Sequence, residues 1–260
     1  MIRAREEVKG SVNVELFFAH FEDERPNGLD TFISTKLLNQ SVLDQHSFEK
    51  PIKLPLIKDI LDRLYAESKA DYLIYTNVDI AVQPNFYSKI KEFIEKGHDA
   101  FMINRRRISG QYNSVEQLEE MYKEKGKKHP GFDCFVFHRS LYPNFGLGKI
   151  CIGVPFFEIT LSQNLFAWAK NPKVFMDEFL TFHIGMEIFK KRAPKEYFKY
   201  NQKEFWKVAE QLSPILSTRK WLYGEKPLLK RLFLWGLHPC FPIKLALTSE
   251  YQQFQKKLLE

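Results

Sequence analysis

The sequence predicts an α/β fold in which a sheet is flanked by helices and followed by a helical C-terminal extension. Short apolar segments of strand length alternate with amphipathic helical segments over roughly the first 190 residues. After Ala193 the pattern becomes helical, rich in Trp, Phe, Lys and Leu, and interrupted by prolines. A chain of 260 residues is long enough for one large domain with an appendage. We therefore assign residues 1–193 to an α/β domain and residues 194–260 to the extension.

The first elements follow from local patterns. Residues 12–19 predict a strand, and residues 55–68 predict a helix with Pro55 in its first turn. Residues 72–75 form an apolar run without polar alternation, which is typical of a strand covered on both faces in a parallel sheet. The helix should turn one apolar face towards this strand, formed by Ile57, Ile60, Leu61 and Leu64.

The later elements alternate in the same way. A second helix is predicted from Pro84 to Gly97, where glycine suits the helix end. A capping-box pattern at residues 114–117 predicts a helix that runs towards Lys125. Pro155 suits the start of another helix. The remaining predicted strands cover residues 100–103, 134–137, 174–175 and 180–182.

Composition narrows the possible partners and compartment. The net charge of +7 indicates an anionic partner, such as a nucleotide, a nucleic acid or a membrane surface. Cys134, Cys151 and Cys240 have no metal-binding spacing, so we expect reduced structural cysteines in a cytoplasmic protein. We expect no signal peptide and no bilayer-spanning segment, and peripheral membrane association remains compatible with the sequence. The oligomeric state is left open.

Two polar side chains, Asn77 and Asp79, follow the predicted strand at residues 72–75. Ligands of open α/β sheets bind outside the carboxyl ends of strands, so Asp79 is a candidate contact for a metal or a substrate. Both residue types also favour turns, which gives a purely structural alternative. The spacings of the dinucleotide-binding and P-loop motifs are absent, which argues against dehydrogenases and P-loop kinases.

A helix that leads into a buried strand ending in Asn77-Val78-Asp79 resembles the GT-A class of nucleotide-sugar-dependent glycosyltransferases, whose hallmark is an Asp-x-Asp motif. The similarity is a pattern over roughly residues 10–190. It implies a Rossmann-like GT-A mixed sheet flanked by helices. It also implies transfer of a sugar from a nucleotide-diphosphate donor to a glycan, lipid-linked or other hydroxyl acceptor, assisted by a divalent metal.

The resemblance also assigns metal-binding roles. Asp79 would be the carboxylate ligand and His183, at the end of a late strand, a second ligand of Mn²⁺ or Mg²⁺. Asn77 stands where the motif usually has an acid that contacts the ribose or the metal shell. An amide contributes no negative charge, so metal dependence is an open question. A lone histidine at a strand end equally suits a hydrogen-bonded structural residue.

The remaining candidates concern the acceptor and the diphosphate. Glu158, in the first turn of a predicted helix, is the first candidate for a general base, and Asp133 is the second or an acceptor contact. Arg105 and Arg106, in an arginine triplet with Arg107, could contact diphosphate oxygens. Each of these candidates also has a structural alternative. Glu158 could simply stabilise the helix dipole, Asp133 could cap backbone groups, and the arginines could lie in a solvated loop.

Two alternative functions remain. A non-catalytic relative that binds a nucleotide or glycan without turnover is consistent with Asn77 in the motif. A nucleic-acid-binding protein ranks last, because the chain has no zinc spacing, recognition-helix signature or RNP motif. The C-terminal segment also allows two interpretations. Its basic and aromatic residues between Arg219 and Lys244 suit either a membrane interface or packing against the α/β domain, and we favour packing.

Overall fold

In a computed structural model, the described residues are 1–24, 28–186, 194–238 and 240–259, and they form a mixed α/β fold with C-terminal helices. The predicted boundary at residue 193 lies outside the described residues. The strands are β1 (Phe17–Phe18), β2 (Ile33–Ser34), β3 (Tyr72–Thr76), β4 (Ala81–Val82), β5 (Ala100–Ile108), β6 (Lys127–His138), β7 (Pro172–Phe175) and β8 (Thr181–Ile184). The helices are α1 (Ile2–Glu7), α2 (Ile57–Glu67), α3 (Phe86–Glu95), α4 (Leu118–Lys123), α5 (Phe157–Trp168), α6 (Lys195–Leu212), α7 (Leu228–Gly236) and α8 (Ile243–Leu259).

The central sheet is mixed, as predicted. Its strand order is β3-β6-β5-β8-β4, and β7 also pairs with β5. Strand β5 runs parallel to β7 and β8, whereas the β3–β6, β5–β6 and β4–β8 pairs are antiparallel. The short strands β1 and β2 form a separate parallel pair. The two long strands β5 and β6 therefore lie side by side and carry most of the sheet's hydrogen bonding.

The predicted helices α2, α3 and α5 are confirmed, but α2 begins at Ile57, so Pro55 lies before the helix and not in its first turn. In α2, Ile57 and Leu61 are fully buried, as the apolar spacing requires. Helix α3 ends before Gly97, whose φ of +86° suits glycine and whose N–H donates to the carbonyl of Ile94. The capping box at Ser114 and Gln117 is also present, although it opens a short 3-10 turn before α4.

Several strand predictions need correction. Only Phe17–Phe18 of the predicted strand at residues 12–19 is a strand. Strands β5 and β6 are much longer than predicted, because the polar residues that the sequence analysis placed beyond them pair within the sheet. Strand β3 does have apolar packing on both faces, but it is an antiparallel edge strand and not part of a parallel pair. An apolar run indicates cover on both faces and does not reveal strand direction.

The core lies on both faces of the sheet. One apolar cluster combines α2, α5, parts of β3, β5 and β6, and the C-terminal helices. The other packs α1 and α3 against the opposite face. The three cysteines are free and buried, as predicted. No helix in the described part of the chain has both the length and the apolar character to cross a bilayer.

Candidate functional site

All of the predicted site residues except Arg106 come together near the end of β3. The chain turns after β3, and the N–H of Ile80 donates to the carbonyl of Asn77 at 3.2 Å. Strand β4 then pairs antiparallel with β8, with Ala81 opposite Phe182, which brings the preceding residues close to His183. Along the other pair, Thr76 faces Cys134, so Asn77 comes opposite Asp133. Strand register thus gathers residues that lie far apart in the sequence.

Asp79 and His183 form a carboxylate–imidazole pair. The distance between His183 Nε2 and Asp79 Oδ2 is 3.2 Å. The Asp79 side chain is 44% exposed, whereas that of His183 is only 7% exposed. The imidazole is thus fixed inside the protein and the carboxylate reaches solvent. Within the described ranges, no group of three or more His, Cys, Asp and Glu residues could hold a metal. A metal here would therefore need ligands from its substrate or from water.

Asn77 is directed into the protein. Its side-chain carbonyl accepts a hydrogen bond from the Tyr75 hydroxyl at 2.9 Å. Its amide donates to Asp133 Oδ1 at 2.8 Å. Because both ends of the amide are used in this way, Asn77 orients Asp133. An acid at this position would place two carboxylates within hydrogen-bond distance, which would disfavour ionisation of both.

Asp133 is the most deeply buried acid of the site, with an exposed fraction of 1%. Its Oδ2 lies 2.9 Å from Nη1 of Arg105. Nη2 of Arg105 lies 2.9 Å from Nε2 of His129, and Nδ1 of His129 lies 2.9 Å from the N–H of Gly131. A neutral imidazole has a single acceptor nitrogen, so His129 accepts from only one of these donors at a time. The guanidinium of Arg105 is held between Asp133 and His129.

Burial and like charge shift the pKa values of both acids. For Glu158, burial of the carboxyl and then the charge of Asp133 raise the pKa to about 8, against a smaller opposing effect of Arg105. For Asp133, burial raises the pKa, Arg105 opposes the shift, and the charge of Asp79 adds to it. The two acids are hydrogen-bonded to each other. The pair therefore retains a proton at neutral pH and can act as acid or base.

Arg106 and Arg107 lie within β5 and not in the loop that the sequence predicted. Arg106 donates to the carbonyls of Lys125 and Gly126 at 2.9 and 2.8 Å, and its guanidinium lies 4.2 Å from the ring centroid of Phe179. Arg107 also donates to backbone carbonyls. The structure thus brings Arg105, and neither of its two neighbours, against Asp133. Side chains alternate across a strand, which separates Arg106 from Arg105.

Three further residues complete the site and were not predicted as site residues. They are Tyr75, His129 and Gly131. A Cβ on Gly131 would lie 2.8 Å from Oε2 of Glu158 and 3.3 Å from His129. Glycine at this position therefore leaves room for the carboxyl of Glu158. His129, Gly131 and Asp133 recur at every second position, which is the strand period. This spacing is visible in the sequence, but it places the three residues on one face only if the strand begins as early as Lys127.

Two clefts lie away from this site. A cleft of about 580 Å³ lies among the C-terminal helices, where Arg231 and Leu247 contribute to its lining. A second cleft of about 570 Å³ is lined by residues between Arg5 and Val14. Neither of these clefts includes Asp79. The half-exposed carboxylate of Asp79 is the part of the site that solvent reaches.

Comparison with known proteins gives distant structural similarities only. No family model matches the chain, and no curated protein matches it. Residues 1–349 of S. aureus TarS, solved in complex with UDP-GlcNAc, are 8% identical with a TM-score of 0.46, and the alignment covers 93% of this chain and 79% of that one. A mycobacterial protein is 15% identical with a TM-score of 0.43, covering 81% of this chain and 68% of that one. Neither TM-score reaches 0.5, and neither similarity says what this chain binds.

Proposed function

We propose that the chain is a glycosyltransferase that moves a sugar from a nucleotide-diphosphate donor to a hydroxyl acceptor on a glycan, a lipid-linked precursor or another molecule. One observation carries the proposal. The half-exposed carboxylate of Asp79, paired with the buried imidazole of His183, lies at the same end of the sheet as Asp133 and Glu158, two acids whose pKa values are both raised. The first pair suits metal-assisted binding of a diphosphate, and the second suits proton transfer from a hydroxyl.

The residues present fit a divalent metal with two protein ligands. A carboxylate oxygen and an imidazole nitrogen are donors that Mn²⁺ accepts, and Mg²⁺ is commonly bound by one or two carboxylates together with substrate phosphates. Asp79 and His183 would hold the ion. When bound, it would neutralise charge on the departing diphosphate. Asn77 would act indirectly, because its amide positions Asp133.

Glu158 is the proposed general base, and its burial, together with Asp133 and Arg105, sets its protonation. With a pKa of about 8, Glu158 must lose its proton before it can accept one from an acceptor hydroxyl. Arg105 opposes the effect of Asp133 because its guanidinium lies 2.9 Å from that carboxylate. Asp133 is the alternative contact for the acceptor. Arg106 has no part in this proposal, since its donors are directed to Lys125 and Gly126.

Replacing the metal ligand provides the test. We expect UDP or GDP sugars to raise the thermal midpoint of the wild type in the presence of Mn²⁺, by an amount set by ligand concentration and Kd. Asp79→Ala should abolish the Mn²⁺-dependent part of that shift. Glu95→Ala, which removes an exposed carboxylate on α3, is the matched control and should behave like the wild type. An unchanged Mn²⁺-dependent shift in Asp79→Ala would remove Asp79 from the donor site.

A second candidate is a nucleotide- or glycan-binding protein of the same fold without turnover. Asn77 in place of an acid favours it, as does the lack of a third metal-binding side chain among the described residues. The same titration separates the two functions when it is followed by product analysis. Stabilisation by a donor with neither hydrolysis nor transfer supports the binding protein. Release of the nucleoside diphosphate with transfer of the sugar supports the enzyme.

A further inference from the structure

Helices α7 and α8 expose an unusual amount of apolar surface. On α7, Leu229 and Phe233 are 83% and 68% exposed, and Leu237 follows four residues later at the end of the helix. Their spacing of four places them on one face of the helix. The exposed apolar residues of α8 have a similar helical spacing. The C-terminal apolar patch comprises Leu228, Leu229, Phe233 and Leu237 of the α7 segment and Leu247, Tyr251, Phe254 and Leu258 of α8.

The patch is distinct from the buried side of the same helices. Trp235 of α7 and Leu245 of α8 are almost fully buried in the main apolar cluster. One face of these helices therefore packs against the fold, as the packing interpretation predicted, and another faces solvent. Several exposed large apolar side chains on the faces of two helices indicate contact with a partner or a membrane.

The cleft of about 580 Å³ joins the two halves of the patch, since Leu228 and Leu247 both line it. Arg231 also lines this cleft and is 5% exposed. Its Nε and Nη1 have no hydrogen-bond acceptor among the described residues. A buried guanidinium with unpaired donors costs free energy, which an anionic group would offset.

The other charges at the cleft partly compensate one another. Its charged lining consists of three cations and two carboxylates: Arg219, Lys226, Arg231, Glu225 and Glu250. Glu225 lies 3.3 Å from Lys226, and Glu250 accepts a hydrogen bond from the hydroxyl of Thr218. The two carboxylates therefore already have partners, and the lining retains a net positive charge. A phosphate, with several acceptor oxygens, suits this cationic lining.

We propose that the C-terminal apolar patch binds the surface of an anionic membrane, with Arg231 receiving a phospholipid phosphate in the cleft. The segment from Arg219 to Lys244 contains six basic residues and a single acid, Glu225. Basic residues around exposed Leu and Phe side chains are the composition of an interfacial helix. Self-association through the patch is disfavoured by the same charges, because a second copy would bring these cations against one another.

Vesicle binding tests the proposal without any nucleotide, so the result is independent of the proposed function. The full chain should co-sediment with vesicles of phosphatidylcholine and phosphatidylglycerol, but not with phosphatidylcholine alone, and salt should weaken the binding. Leu229→Ser with Phe233→Ser should weaken it at least tenfold. Val115→Ser, at an apolar side chain that is equally exposed but lies outside the patch, is the matched control and should bind like the wild type.

Arg231→Gln tests the cleft. We expect it to keep the thermal transition of the wild type, since it removes a buried cation with unpaired donors, and to weaken binding to the anionic vesicles severalfold. Unchanged binding in this variant would overturn the phosphate assignment. Equal binding to both vesicle types, or binding to neither, would overturn the proposal that the patch binds an anionic membrane. Self-association measured by light scattering, lost in the double variant and without vesicle binding, would identify a second copy as the occupant.

Discussion

Glu158 carries a pKa that depends on three neighbouring effects of opposite sign. Burial of the carboxyl is the largest, the charge of Asp133 adds to it, and Arg105 opposes both. Arg105 cannot reverse the shift because its guanidinium pairs with Asp133 and not with Glu158. The single arginine therefore pairs with Asp133, and the two acids together retain a proton at neutral pH. This pairing depends on Arg105 alone, since Arg106 is directed to backbone carbonyls.

Replacing Glu158 with Gln should reveal this shift as a change in stability with pH. The pKa of Glu158 rises from an ordinary 4.5 to about 8 on folding, so protonation stabilises the fold fully below pH 4.5 and the stabilisation is lost as the pH rises to 8. Each pKa unit corresponds to about 1.4 kcal/mol. Between pH 5 and 8 the free energy of unfolding of the wild type should therefore fall relative to Glu158→Gln, by on the order of 4 kcal/mol. Urea unfolding across this range provides the measurement.

Glu120→Gln is the matched control, because Glu120 is exposed on α4. Its stability should follow that of the wild type at every pH. Parallel pH profiles for the wild type and Glu158→Gln would show that the carboxyl of Glu158 ionises normally in the folded protein. Its proposed role as a base of raised pKa would then be lost.

At the scale of elements, helices were predicted better than strands, and the reason is local. Apolar spacing and Gly97 define α3 within the chain itself, without help from distant residues. The ends of β5 and β6 depend on pairing between residues that are remote in sequence, such as Arg107 with Lys127. Charged residues at these positions suggest a loop unless the partner strand is known. The direction of β3 could not be predicted either, because an apolar run is compatible with both parallel and antiparallel pairing.

The site was predictable to the extent that single residue types carry chemistry. Asp79 and His183 were chosen from a motif and a strand end, and strand pairing then places them 3.2 Å apart. His129 and Gly131 were missed because they belong to the part of β6 that lies before the predicted strand at residues 134–137. Asn77 was assigned by its place in the motif, whereas its amide is directed to Asp133. A sequence motif locates a residue and does not determine the orientation of its side chain.

The contact between α6 and the loop before α5 gives a prediction at the same scale. Asn201 of α6 is fully buried, accepts from the N–H of Cys151 at 3.1 Å, and donates to the carbonyls of Cys151 and Pro155 at 2.8 and 3.1 Å. Asn201→Ala would leave these backbone groups unpaired in the interior. We expect the free energy of unfolding to fall by about 2–4 kcal/mol.

Lys199→Ala, at an exposed position of the same helix, controls for helix propensity and should change stability by less than about 0.5 kcal/mol. Urea unfolding of both variants measures the difference. A loss in Asn201→Ala no larger than that in Lys199→Ala would mean that water or neighbouring groups replace the amide, and that α6 does not hold the loop before α5 through this residue.

At the scale of the whole molecule, the C-terminal helices share a core with the sheet. Trp235 and Phe241 belong to the same apolar cluster as Phe135 of β6 and Leu161 of α5. Polar contacts also join the two parts, since the side-chain amide of Gln163 in α5 donates to the carbonyl of Cys240 at 3.0 Å. Each fully buried large apolar side chain contributes about 1.5–3 kcal/mol. The sequence change after Ala193 therefore marks a change of secondary structure within a shared core.

The shared core predicts that residues 1–193 and 194–260 unfold together. Of the four tryptophans only Trp168 precedes residue 193, and the other three lie in the extension. Tryptophan fluorescence of Trp168→Phe therefore reports on the extension alone, while far-ultraviolet circular dichroism reports on the whole chain. We expect the two signals to follow one urea transition with the same midpoint, because exposing Trp235 and Phe241 would also remove the cover of the sheet. The unmodified chain serves as the control and should unfold with nearly the same midpoint. Loss of the fluorescence signal at a lower urea concentration, with much of the dichroism retained, would instead establish a separate C-terminal unit beginning near residue 194.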